Sequence, residues 1–191
     1  MVQWCRRSLL LALALGLVVV ATGVGGRGWS KERAPALSIV VKLAERRLHV
    51  YEHGRLIHTY VVSVGMPKHR TPRGAYHITH VVWNPWWIPP KVPWARGKGP
   101  TPPGPKNPMG RVKMYFAPEY YIHGTPEEAT LGEPVSHGCI RMYERDAIAL
   151  ARLVLRRGKP GVSEATIDKI LAHPRMTETM MLAHPIPLEV R

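Results

Sequence analysis

The sequence predicts a mainly β domain closed near its C-terminus by two short helices, and three observations carry the prediction. Short stretches between residues 37 and 123 alternate apolar with polar side chains or run as β-branched apolar blocks, which is how strands read. The segment 84–108 holds nine prolines, too many for a helix interior or a central strand. Apolar residues at helical spacing follow it, at Ala147, Ile148, Ala151, Val154 and Leu155. A chain of 191 residues is long enough to bury one core without disulfide staples.

The first 28 residues stand apart. Arg6 and Arg7 precede an uncharged apolar run at 9–20 and small residues at 21–26, the order of an export signal. The run is short for a membrane span of about 20 apolar residues, so 1–28 is expected to be a signal peptide, with an N-terminal anchor as the alternative. No cysteine follows the run closely, and a lipid-modified N-terminus is not expected. A polar linker at 29–36 leads into the domain, 37–191. That domain is expected to be exported, to the periplasm or cell wall, and to meet a membrane only through an uncleaved N-terminal segment.

Residues 37–43 are a β-branched run, 47–51 alternate, and a turn at His53 and Gly54 leads into 56–64, ending at Gly65. Together they read as an antiparallel meander. A strand at 75–82 is entered through Thr71, Pro72, Arg73 and Gly74, where proline sets one φ and glycine permits a sharp turn. His77 and His80 on it are three apart and face opposite ways, so they cannot share a metal. Residues 84–108, set among Trp83, Trp86, Trp87 and Trp94, form a long stiffened loop. Its tryptophans point to a cap over a groove or to the packing of an irregular corner. Strands at 111–116 and 120–123 bring His123 to a strand end. A loop fills 125–135, and 136–139 leads into the first helix, with Gly158 as its stop. Ser163 N-caps a second helix bearing Ile167, Ile170 and Leu171, and 186–190 is a closing strand. No internal repeat is visible.

Cys5 falls in the signal, which leaves Cys139 as the one thiol of the domain, in a compartment where thiols usually pair. A cysteine nucleophile needs an imidazole to take its proton and donors for the oxyanion. His123, His137 and Gly138 are at hand. In an extended segment His137 points to the same side as Cys139, so on the residues alone either histidine can be the base. The backbone N–H groups of Gly138 and Cys139 are candidate oxyanion donors, glycine permitting the twist that aims them. Arg141 is a cation beside the nucleophile, suited to hold a carboxylate and to favour the thiolate. A zinc hydrolase using His123, His137 and Cys139 is disfavoured, since two of these lie two residues apart with no carboxylate base near. No metal and no cofactor is expected.

The formal charge of +14 loses three arginines with residues 1–28 and stays at +11. Such a surface favours polyanions. Export, without an RNP-like, zinc or helix-turn-helix signature, points to anionic envelope polymers or lipid head groups and away from nucleic acid; a merely solvated basic surface explains the charge as well.

His123-Gly124 followed by Ser136-His137-Gly138-Cys139-Ile140-Arg141 resembles the signature of the L,D-transpeptidases, the YkuD-like cysteine enzymes that remodel bacterial peptidoglycan. Residues 48–65 resemble that family's opening hairpin, Thr71-Pro72-Arg73-Gly74-Ala75-Tyr76-His77-Ile78 its TPxG strand entry, and Pro105-Lys106-Asn107-Pro108-Met109-Gly110 its approach to the histidine strand. The likeness covers a motif core at 39–155, with 158–191 as a helix-and-strand extension like that of longer members. It implies an L,D-transpeptidase-type β-sandwich with the Pro/Trp-rich loop as a cap.

The resemblance also implies roles. Cys139 would be the nucleophile and His123 the proton donor and acceptor, oriented by the Gly124 carbonyl. Cys139 would attack the bond between the third residue and the terminal D-alanine of a peptidoglycan tetrapeptide stem, release D-alanine and pass the acyl group from a thioester to an amine. Ser136 and His137 would shape the site; Arg141, Tyr121, Trp86 and Trp87 are candidate substrate contacts. Carbapenems acylate the cysteine of many members, and the same is expected of Cys139. The acceptor stays open among a second stem's diaminopimelate, a lipoprotein lysine, a free D-amino acid, and water in an L,D-carboxypeptidase of the same fold. A non-catalytic wall-binding module would explain the charge and the tryptophans but would not need Cys139.

Overall fold

Eight strands hydrogen-bond into one sheet in the computed structural model, which describes residues 36–191. The expected signal or anchor lies outside the described residues. β1 (Leu37–Lys42), β2 (Arg47–Glu52) and β3 (Arg55–Val61) form the expected antiparallel meander. Strict alternation in β1 turns Leu37, Ile39 and Val41 inward, as a half-buried strand requires. β4 (Val64–Gly65), β5 (Gly74–Trp83), β6 (Val112–Ala117) and β7 (Tyr120–Gly124) follow, then β8 (Pro134–Ser136) and β9 (Ile140–Met142). The helices α1 (Glu144–Gly158) and α2 (Glu164–Ala172) precede the last strand, β10 (Glu178–Val190).

The sheet order is β3-β2-β1-β10-β5-β6-β7-β9, and β4 pairs with β8 in a small second sheet. β3 ends at Val61 on one edge. Two residues later Ser63 exchanges both backbone hydrogen bonds with Arg141 of β9, on the opposite edge, each at 2.9 Å. Two residues reach about 7 Å, so the edges meet and the sheet curls over a single core. Leu48, Val50, Ile78, Met114, Ile122 and Ile140 fill that core together with Leu150, Val154 and Leu155 of α1. Helix α1 packs on β10, β7 and β6, and so backs the strand that holds His123.

Three elements differ from the sequence expectation. β8 and β9 intervene where a loop and a direct entry into the helix were expected, because three-residue strands leave too little alternation to read. β10 begins at Glu178, well before 186, and is broken by an irregularity between Met181 and Ile186 next to two prolines. It lies between β1 and β5 in the middle of the sheet, so the stretch expected as an extension is integral to the core. β5 agrees with the expected strand to within one residue at each end and closes on Trp83, which is wholly buried.

Two asparagines fix what lies between. Asn84 Nδ2 donates to the carbonyls of Ile170, His173 and Met176 at 3.1, 3.1 and 2.9 Å, tying the last turn of α2 and the turn after it to the end of β5. Ser163 Oγ accepts the Thr166 N–H at 3.1 Å at its start, the expected cap. Inside the proline-rich loop, buried Asn107 donates to the carbonyls of Pro85, Thr101 and Pro102 at 2.8, 3.1 and 3.0 Å and accepts the Met109 N–H at 2.8 Å. The loop is tied from within, and Trp87 and Thr101 add a backbone bridge across it.

Candidate active site

β7 and β9 run parallel, with Ile122 opposite Ile140, His123 opposite Arg141 and Gly124 opposite Met142. Alternation sends Ile122 and Ile140 into the core and turns His123 and Arg141 to the other face. Cys139 immediately precedes β9. Its Sγ lies 3.7 Å from the Glu119 carbonyl and beside the Tyr121 backbone, so thiol and imidazole come from adjoining strands.

His123 is buried, and its Nδ1 lies 2.6 Å from the Gly124 carbonyl oxygen. A carbonyl only accepts, so Nδ1 carries the proton and Nε2 keeps the lone pair a base needs. Gly124 is glycine for want of room: a Cβ there would lie 2.7 Å from both carboxylate oxygens of Glu144, at the first position of α1. Glu144 in turn accepts the Arg111 N–H at 2.8 Å, and burial pushes its pKa up.

The turn that carries Cys139 is held by Ser136. Its buried Oγ donates to the Cys139 carbonyl at 2.5 Å and accepts the Gly138 N–H at 3.1 Å. The Gly138 N–H, expected as an oxyanion donor, is therefore engaged within the turn. Gly138 itself has φ +111°, and a Cβ on it would lie 2.6 Å from the Tyr120 ring, so no other residue fits. That kink also breaks the extended geometry on which His137 and Cys139 were expected to share a side.

His137 stacks on Trp94, with centroids 3.9 Å apart and planes at 21°, and its other neighbour is His69 at 4.8 Å. Burial first, then the charges of His69, Arg141 and Lys98, lower its pKa. Trp94, from the proline-rich loop, thus touches the turn that carries Cys139. Trp86 is half exposed and Trp87 sits at the bridge within the loop; no described ring contact joins either to the turn.

Burial dominates the electrostatics. It pushes the Cys139 thiol up to about 11, against the opposing pull of the Tyr121 backbone, Arg141 and Lys113. It lowers His123 to about 3, although the Gly124 carbonyl favours the charged ring. Around neutral pH both partners are uncharged. Arg141 is engaged by Glu127, Nη1 to Oε2 at 2.8 Å. Tyr121 meets Tyr115 edge-on at 4.4 Å, and burial raises its pKa. Among the described residues no three His, Cys, Asp or Glu side chains gather as a metal site. A cleft of about 540 Å³ lies beside the turn, lined by Val64, Gly65, Arg70, Arg73 and Pro134 and by neither Cys139 nor His123.

Sequence reasoning passed over Trp94 as a neighbour of the turn, and over His69 and Lys113. For Lys113 a signal existed: it alternates with Tyr115 along β6, so the two share a face, and β6 adjoins the histidine strand.

The sequence model of the YkuD L,D-transpeptidase catalytic domain matches residues 37–167. The chain belongs to this family. A putative L,D-transpeptidase YkuD of Bacillus licheniformis is 34% identical over 117 residues, 61% of this chain and 59% of that relative. A probable L,D-transpeptidase ErfK/SrfK of Salmonella typhimurium is 34% identical over 118 residues, 56% of this chain and 38% of the relative. The chain therefore spans about three-fifths or less of these relatives' lengths. Among solved structures, an L,D-transpeptidase from Mycobacterium smegmatis shares the fold at a TM-score of 0.54 and 16% identity, over 82% of this chain and 58% of that one. L,D-transpeptidase 3 from Mycobacterium tuberculosis, in complex with a faropenem-derived adduct, does so at 0.53 and 18% identity, over 82% and 60%.

Proposed function

We propose that this family member is a peptidoglycan L,D-transpeptidase, a cysteine acyltransferase, with Cys139 as nucleophile and His123 as general base. The observation that carries the reading is the His123 Nδ1–H···O=C contact with Gly124, which leaves Nε2 as acceptor on the strand beside the thiol. Because thiol and imidazole are both uncharged at rest, attack is coupled to proton transfer. Sγ bonds to the carbonyl carbon of the third residue of a tetrapeptide stem as Nε2 takes the thiol proton. Collapse breaks the C–N bond, the proton passes to the departing D-alanine amine, and a thioester remains. An acceptor amine then attacks the thioester carbonyl and gives its proton to Nε2; the C–S bond breaks, and Nε2 returns that proton to Sγ, restoring the thiol.

With the Gly138 N–H engaged by Ser136, the oxyanion donor we assign is the N–H of Cys139. Trp94 and the loop that carries it cap the donor groove. Residues 1–28 deliver the domain to the periplasm or wall, where its basic surface meets anionic polymers. In this reading a β-lactam of the carbapenem class acylates Cys139.

Intact-protein mass spectrometry of the chain with a disaccharide-tetrapeptide, alongside Cys139→Ala, tests the reading. A transient adduct that needs Cys139, free D-alanine and a dimer joined through the third residues are expected. Tripeptide with D-alanine but no dimer would make the chain a carboxypeptidase. Neither adduct nor product on folded protein would leave a wall-binding module.

A further inference from the structure

Lys113 plays no part in the reaction as written, and its surroundings are unusual for a lysine. The residue is only 8% exposed. Among the described residues it has no carboxylate within ion-pair distance, and its Nζ faces two aromatic rings instead, 5.0 Å from the centroids of Tyr115 and Tyr121. Taking an ammonium out of water is costly unless a counter-charge accompanies it, and cation–π contacts offset part of that cost. Arg141 is the opposite case. The cation that the sequence singled out already has Glu127; the one it passed over has no acid.

Position decides what the ammonium is for. Lys113 is the register partner of His123 across β6 and β7, and Tyr115 that of Tyr121. The side chain therefore shares the face of the base and leans along it toward Tyr121, whose backbone flanks the Cys139 thiol. The remaining groups around it are His80 of β5, stacked on Tyr115 at 4.1 Å, Arg141 of β9, and the exposed carboxylate of Glu119, whose charge reaches Tyr121 but makes no ion pair with Lys113 among the described residues.

We propose that Lys113 receives a carboxylate of the acyl-donor peptide beside the Cys139–His123 pair, and so favours stems with free carboxylates over amidated ones. The identity of the anion rests on the transpeptidase reading; the cation site rests on the geometry alone.

Two arms keep these apart. In the full chain, the rates at which Cys139 is alkylated by anionic iodoacetate and neutral iodoacetamide are compared for the unmutated protein, Lys113→Met, Lys113→Gln and Lys113→Arg. The iodoacetate-to-iodoacetamide ratio is expected to fall about five- to tenfold in whichever neutral variant folds, the scale of one partly screened charge contact, and to recover with arginine. A ratio unmoved in a folded neutral variant overturns the proposal. The second arm compares tetrapeptide stems with free and amidated carboxylates. The preference for the free form is expected to shrink about tenfold in Lys113→Met, mainly through KM. Equal turnover of both stems by unmutated and Lys113→Met protein sinks the proposal and leaves the transpeptidase intact. A normal alkylation ratio effect with no turnover of either stem sinks the transpeptidase and leaves the anion site.

Discussion

His137 lies flat on Trp94, 3.9 Å between ring centroids, so a residue two positions before Cys139 pins the proline-rich loop to the turn that carries the thiol. A stacked aromatic pair contributes about 0.5–1.5 kcal/mol, enough to hold a loop but not a fold. Trp94→Ala is expected to leave the global melt within about 1 kcal/mol of the parent while exposing 84–108 to faster limited proteolysis and raising KM several-fold. Unchanged proteolysis in the variant would detach the loop from the turn.

The same contact separates the two histidines. His137 is occupied in packing, whereas His123 is oriented by a carbonyl. His123→Ala is expected to lose about a hundredfold or more in turnover, the range of general-base catalysis, and His137→Ala to keep a measurable part of it. The reverse order, read by D-alanine release, would exchange their roles.

Two pH windows follow from burial. Folded His123 stays neutral down to about 3 against 6.5 when free. The unfolded chain therefore binds the extra proton between those values, and stability falls as pH is lowered through that window. Cys139 keeps its proton up to about 11 against 9.0, so the folded chain holds the extra proton and stability falls as pH rises from about 9 to about 11. Thermal melts across pH should show both limbs, the alkaline one flattened in Cys139→Ser. Alkylation by iodoacetamide should likewise climb with pH past 9; a plateau near neutrality would mean a thiolate–imidazolium pair at rest.

Asn107 holds three carbonyls and one N–H of the loop in a buried place. Removing it strands buried polar groups at about 1–3 kcal/mol each, less what water recovers. Asn107→Ala should destabilise by about 2 kcal/mol in urea titration. Asn107→Asp should be no milder, because a carboxylate cannot donate to carbonyls.

The long alternating strands were legible because period 2 needs only four or five residues to declare itself, and α1 and α2 because Ala147 to Leu155 and the Ser163 cap carry helical signals. His123 and Cys139 were legible through the motif around them. β9 was not, since three residues carry no period, and of β10 only 186–190 was read as strand, its earlier half being hidden before Pro185. Lys113, Trp94 and His69 depend on which strands and loops become neighbours, and residue type alone does not say that. Gly138 was rightly expected to twist, but the twist delivers its N–H to Ser136, a preference set by one hydroxyl's position.

The bridge from Ser63 to Arg141 joins the two margins of the sheet. An open sheet offers unpaired backbone to any other strand it meets, and long apolar margins seed association between copies. Here the link is one residue pair wide: β9 is covered at Arg141, while β3, an edge strand paired only with β2, turns Arg55, Leu56, His58 and Thr59 to solvent. Backbone pairing between copies would therefore start at β3, and the charged and polar side chains at 55, 58 and 59 on that strand are what discourage it.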